Sequence, residues 1–247
     1  NLIIAHHPLI FSGLKRITGG NYVERVILKA IKHDIVIYAA HTNLDNVQAG
    51  VNRKIAEKLG LKNTGVLAPT RKNLYKLYTY VPVPQAEQLK SALFAAGMGE
   101  IGEYCEWSFV TGGTGTFRPS ASSNPAIGTA GGDREEVVEL KLEVIVPEHL
   151  KTLAVKTLKE NHPYEEVAYE LVALENENQT TGAGMIGRLE EPMMVPEFLE
   201  YLKQRMDTAC IRHTRAHKEL IGKVAVCGGA GGFLLKNAIA AGGGIFI

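Results

Sequence analysis

The sequence predicts an α/β domain with a mixed, partly parallel sheet, interrupted by a ferredoxin-like α+β insert. Two apolar runs, Asn1–Ala5 and Ile35–Ala39, flank a stretch in which Val23, Val26, Ile27, Ala30 and Ile31 recur at helical spacing. That is a β-α-β unit. Its usual right-handed crossover makes the strands parallel, with their carboxyl ends on one edge of the sheet. From residue 71 the pattern becomes β-α-β-β-α-β, the ferredoxin-like order. From residue 182 the α/β pattern resumes, so the expected organisation is residues 1–70 and 182–247 forming one domain around an insert at 71–181.

Each element has its own warrant. The helix predicted from Tyr22 to His33 follows the first strand, and the second strand runs into His41-Thr-Asn-Leu-Asp45. A further helix is expected with Asp45 or Asn46 as its cap, Val47, Val51, Ile55 and Leu59 on one face, and Gly60 at its end. Leu67–Thr70 reads as a connector. In the insert, Leu74–Val81 is a tyrosine-rich strand closed by Pro82 and Pro84, and Gln85–Ala96 is a helix. Tyr104–Thr111 is a strand, and 112–134 a long Gly/Ser/Thr/Pro loop. Val137–Val146 (strand), His149–Asn161 (helix) and Glu166–Leu174 (strand) complete the insert. Met185–Leu189, Pro196–Met206 and Cys210–His213 then read as strand, helix and short strand. The strand Lys223–Cys227, the turn Gly228–Gly232, a helix from Phe233 to Ala241 and a strand at 244–247 end the chain.

Composition narrows the function classes. With 45% hydrophobic and 21% charged residues the chain is an ordinary globular protein. A net charge of +1 offers no electrostatic reason for a nucleic acid or an anionic membrane as partner. Cys105, Cys210 and Cys227 lie far apart, which argues against a disulfide framework and suits the reducing cytoplasm. No signal peptide and no run of 18 apolar residues is present. Asn1 already lies inside a strand-like run and residues 244–247 end inside another. The chain therefore reads as a fragment of a longer protein, with an incomplete site.

The chemistry lies where the first two strands end, the edge at which open α/β sheets bind ligands. His6-His7-Pro8 follows one strand, and His41 and Asp45 follow the other. Imidazoles and a carboxylate are the ligand set of a divalent transition metal. Pro8 holds His7 extended. Each imidazole could then reach a different ion, or one could ligate while its neighbour supports it; a neutral pair satisfied by backbone carbonyls is the plainer reading. Asp45 is either a helix cap or a carboxylate bridging two cations. His41 is a ligand, a general base, or a group that orients a ligand. Gly228–Gly232 could present N–H groups to an anion, or simply allow a helix to pack tightly on its strand. His213 and His217 stand four apart without an amphipathic helix around them, and His162-Pro163-Tyr164-Glu165 reads as a turn before a strand.

Taken together, Ile4-Ala-His-His-Pro-Leu9, His41-Thr-Asn-Leu-Asp45 and Val224–Gly232 resemble the Nif-three-like dinuclear metal proteins, often labelled GTP cyclohydrolase type-two homologues. Gly113–Pro119 and Asn161–Glu166 are similar to the longer bacterial members, whose insert folds like PII and CutA proteins. The resemblance implies a homo-hexamer, a dimer of trimers, with two divalent ions (zinc, iron or manganese) per intact subunit. Carried over by position, His6, His7 and Asp45 match metal ligands, with Asp45 bridging, and His41 matches a site-adjacent histidine. A histidine and a glutamate near the C-terminus complete the family's site, and that motif does not occur in these 247 residues. The function expected is a metal-dependent hydrolase with metal-activated water, acting on a nucleotide or another phosphate-containing substrate, with His41 assisting proton transfer. The alternative is a non-enzymatic metal-binding or regulatory ring with a sensing insert.

Overall fold

The computed structural model describes residues 1–216 and 219–247, which form two compact units: 1–69 with 180–247, and 70–179. The chain opens with β1 (Leu2–Ala5), α1 (Tyr22–Lys32) and β2 (Val36–Ala39), and β1 pairs with β2 in parallel register, Leu2 opposite Val36 and Ala5 opposite Ala39. Asn21 caps α1 by accepting the Glu24 N–H at 2.9 Å. The Glu24 carboxylate in turn takes donors from the Thr18 N–H and hydroxyl, the Gly20 N–H and the Asn21 side chain. Those bonds, the Thr18 N–H first, hold its carboxyl below the usual range.

The helix expected over 45–59 is broken in two: α2 (Thr42–Asp45) and α3 (Val51–Lys58). Val47 leaves the helical path to bridge Thr181, and the Gln48 N–H bonds the Thr180 carbonyl. Gly50 then restarts the helix where a side chain would collide with the Leu44 carbonyl. Asp45 thus ends a helix instead of capping one. The expected connector at Leu67–Thr70 lies within β3 (Lys62–Arg71). Pro69 is compatible with this because β3 is an edge strand, where a missing N–H is tolerated.

The insert contains β4 (Leu74–Pro82), α4 (Ala86–Ala95), β5 (Ser108–Phe117), β6 (Glu135–Pro147), α5 (Lys151–Asn161) and β7 (Tyr169–Leu174). Its sheet order, β5-β6-β4-β7, is antiparallel throughout and is that of a ferredoxin-like fold. Leu77, Val81, Leu142, Val144 and Val146 face α4 and α5, where Leu89, Leu93, Ala154 and Leu158 complete a core. Gly112–Phe117, expected in a loop, extends β5 by pairing with Leu140 down to Glu135.

The chain returns along β8 (Glu177–Met194) to α6 (Val195–Met206), β9 (Leu220–Val226), α7 (Leu235–Ala240) and β10 (Ile245–Phe246). Here the sheet order is β10-β9-β8-β3, with β9 antiparallel to β8 and parallel to β10. Val224 and Val226 pack with Ala56 of α3, Leu59 just after it, and Phe198 and Leu202 of α6. Ala225, on the opposite face, packs with Leu234 and Ala238. Covered on both faces, the second half of β9 is an unbroken apolar run, Val224-Ala-Val226, while Lys223 before it donates to the Ala241 carbonyl. Cys210–His213, expected as a strand, is irregular. Only Ile211 of that run packs against the core, so nothing fixes it in a ladder. Among the described residues no helix is long and apolar enough to cross a membrane.

Candidate metal centre

Two parallel strands that end side by side deliver their following residues to one place. His6 and His7 occupy the bend after β1, and His41 immediately precedes α2. The ring centroids lie 4.9 Å apart for His6–His7, 5.1 Å for His6–His41 and 5.3 Å for His7–His41. One ligand nitrogen from each of the three lies within 4.8 Å of the other two. Successive side chains of a regular strand diverge, so the bend after Ala5 is what lets His6 and His7 face the same point.

These donors fit a divalent ion. Metal–imidazole bonds of about 2.0–2.1 Å in a tetrahedron put donors roughly 3.4 Å apart. The nitrogens here lie within 4.8 Å of one another, a little wider than that spacing. His6 and His7 are exposed and His41 is half-buried, so the centre is open to solvent on one side. Nδ1 of His41 shares a hydrogen bond with the Thr42 hydroxyl at 3.1 Å, which orients the ring.

Asp45 lies one helical turn beyond His41 and does not join the three nitrogens within that 4.8 Å cluster. It is half-buried, and its charge reaches Cys227: burial first, and the Asp45 carboxylate second, push the Cys227 thiol pKa up. The glycine-rich turn after β9 therefore borders Asp45. Asn52 ties the two together. It is 2% exposed; its amide donates to the Asp45 carbonyl at 2.8 Å and accepts the Gly228 N–H at 2.8 Å. Gly228 also packs closely on Val51, so helix–strand packing accounts for at least part of the turn's glycine content. Nothing local in the sequence marks Asn52. An asparagine in a helix's first turn is common, and its two partners are contributed by different parts of the chain.

Among the other histidines, His213 is exposed and bonds the neighbouring Thr214 carbonyl, and His217 lies outside the described residues. His162 is buried in the insert against the Tyr80 carbonyl.

With the histidines on one sheet edge and a glycine turn beside Asp45, the fold and motifs define an α/β protein of the Nif-three class. The Duf34/NIF3 (NGG1p interacting factor 3) family model matches residues 1–247, and the chain belongs to that family. It is 45% identical over 247 residues to a Halalkalibacterium halodurans protein described as "GTP cyclohydrolase 1 type 2 homolog", covering 100% of this chain and 66% of that protein. A Bacillus subtilis protein of the same description is 40% identical over 248 residues, with 100% and 66% coverage. A crystal structure of a Bacillus cereus protein related to NIF3 superposes with a TM-score of 0.79 at 42% identity, over 100% of this chain and 65% of that one. A Staphylococcus aureus protein gives a TM-score of 0.64 at 27% identity, over 100% and 64%. The chain spans about two thirds of the length of these relatives.

Proposed function

We propose that His6, His7 and His41 hold a divalent metal ion, that Asp45 supplies a carboxylate toward a second, and that the intact protein is a metal-dependent hydrolase. The observation that carries this is the convergence of three imidazole nitrogens from two separate sequence motifs. Zinc, iron and manganese all accept such nitrogen and carboxylate donors. Held by these residues, a divalent ion would supply Lewis-acid activation of water near neutral pH. His41, oriented through Nδ1 by Thr42, offers Nε2 either to that ion or to a proton. The exposed side of the centre admits substrate.

A nucleotide or another phosphate-containing compound is the substrate class. The description shared by the relatives supports this. The hexamer belongs to the same proposal. Leu2, Ile4, Ile31 and Val36 are 59–70% exposed, apolar surface of the kind an assembly covers. The cytoplasmic address also stays a proposal, supported by three free cysteines. A second reading, a non-catalytic metal-binding ring with a sensing insert, is favoured by the large cavity in the insert.

The test is hydrolysis of nucleoside triphosphates and p-nitrophenyl phosphate by the intact protein, purified without oxygen and supplied with each metal in turn. Turnover that needs metal and disappears in Asp45→Ala supports the hydrolase. Stoichiometric metal without turnover on any of these substrates favours the second reading.

A further inference from the structure

The insert carries a site of its own. Glu139, Lys141 and Glu143 alternate along β6 with the core residues Leu142 and Val144, so they project from the face opposite α4 and α5. In register, Lys141 lies between Tyr80 of β4 and Thr111 of β5, and Glu139 lies opposite Gly113. Gly113 and Gly115 present no side chain on this face of β5, leaving a backbone floor. The segment 119–127 and residues 164–166 wall the space, enclosing a cavity of about 750 Å³. That is the size of a small-molecule site.

Its charge is one-sided. Four carboxylates, Glu139, Glu143, Glu165 and Glu166, line the cavity with a single ammonium, Lys141. Glu143 is already paired, with Lys76 at 3.3 Å and Lys141 at 3.6 Å. Among the described residues no lysine or arginine reaches within 4.0 Å of Glu139, Glu165 or Glu166. Glu139 is only 9% exposed. Its Oε1 accepts the Tyr164 hydroxyl at 2.7 Å, and its Oε2 lies against Gly115, where any side chain would collide with it. His162 lies near enough for its charge to be felt, but burial favours that ring's neutral form, so beyond the Tyr164 bond no permanent cation compensates the carboxylate.

The remaining walls select the kind of cation. Tyr80, Phe117 and Tyr164 line the same space, and aromatic faces attract organic cations. A bare metal ion is not what the walls fit: among the described residues, the three metal-centre histidines form the only close cluster of ligand atoms. We propose that this cavity binds a small organic cation, an amidinium, guanidinium or alkylammonium compound, with its charged head on Glu139 and its body on Tyr164, Phe117 and the glycine floor. All these residues lie within the insert, so the proposal stands or falls separately from the metal centre.

The test is isothermal titration of the 247-residue protein with benzamidine, its neutral isostere benzamide, and agmatine. Benzamidine and agmatine bind, benzamide binds about tenfold more weakly or not at all, and added salt weakens the cations only. Glu139→Gln weakens benzamidine by about tenfold with unchanged circular dichroism. Should that variant not fold, the exposed pair Glu165→Gln/Glu166→Gln weakens it by about threefold while leaving benzamide unaffected. Equal binding of benzamidine and benzamide overturns the proposal, as does failure of both cations to bind. So does light scattering that shows self-association excluding benzamidine, since a second copy would then be the occupant.

Discussion

Replacing Asn52 by alanine tests how the centre is held. The side chain is 2% exposed and makes two hydrogen bonds, donating to the Asp45 carbonyl and accepting from the Gly228 N–H, each at 2.8 Å. Truncation removes both at once and leaves two backbone groups without partners. A stranded buried group costs about 1–3 kcal/mol. Both partners are partly buried and recover some hydration, so the lower half of that range applies to each, for a total of roughly 2–4 kcal/mol. That is a large share of the roughly 5–15 kcal/mol that holds a domain together. Urea denaturation followed by far-ultraviolet circular dichroism measures it. Fluorescence would miss it, because the one tryptophan, Trp107, lies in the insert. Asn52→Asp is the companion variant: it keeps the acceptor for Gly228 but turns an anion toward the Asp45 carbonyl, so it is expected to be at least as damaging. A loss below about 0.5 kcal/mol for Asn52→Ala, the scale of a neutral surface change, would refute the reasoning.

Three further expectations follow from other parts of the molecule. Phe198, fully buried against α3 and β9, should cost about 3–5 kcal/mol when cut to alanine, measured by the same denaturation. Burial lowers the pKa of His162, so the folded insert favours the neutral ring. Its contribution is intact above the unfolded value of about 6.5 and is lost as pH falls through the lowered folded value. The thermal midpoint should therefore drop less below pH 6 in His162→Gln than in the wild type; parallel curves would count against this. Ellman's reagent should label Cys105 and Cys210 quickly and Cys227 slowly, because the first two are exposed while burial and Asp45 raise the third thiol's pKa.

What was legible in the sequence was what neighbouring residues decide. Apolar runs ending at His6 and at His41, with a helical pattern between them, define two parallel strands, and parallel strands bring their carboxyl ends together. Local pattern failed where a distant partner made the decision. Leu67-Ala-Pro-Thr70 looks like a connector, yet it is held in β3 alongside β8, more than a hundred residues later. Gly112–Phe117 has loop composition and becomes strand because β6 supplies the ladder. The break between α2 and α3 depends on Val47 meeting Thr181 and on the close approach of Leu44 to Gly50. At the centre, residue types pointed to metal chemistry, but the turn between His41 and Asp45 left their separation open. The structure groups His41 with His6 and His7 and leaves Asp45 outside that cluster. Asn52 carries no local signal for the same reason as β3: both of its partners are set by tertiary contacts.

The most direct test of the central claim is metal content per chain, by plasma mass spectrometry of protein purified without oxygen. About two ions per subunit are expected in the intact wild type. Asp45→Ala should show a clear loss, and replacing His6 or His41 by alanine a near-complete one, with each variant still folded by circular dichroism. A folded wild type with no stoichiometric metal would contradict a metal centre at His6, His7 and His41.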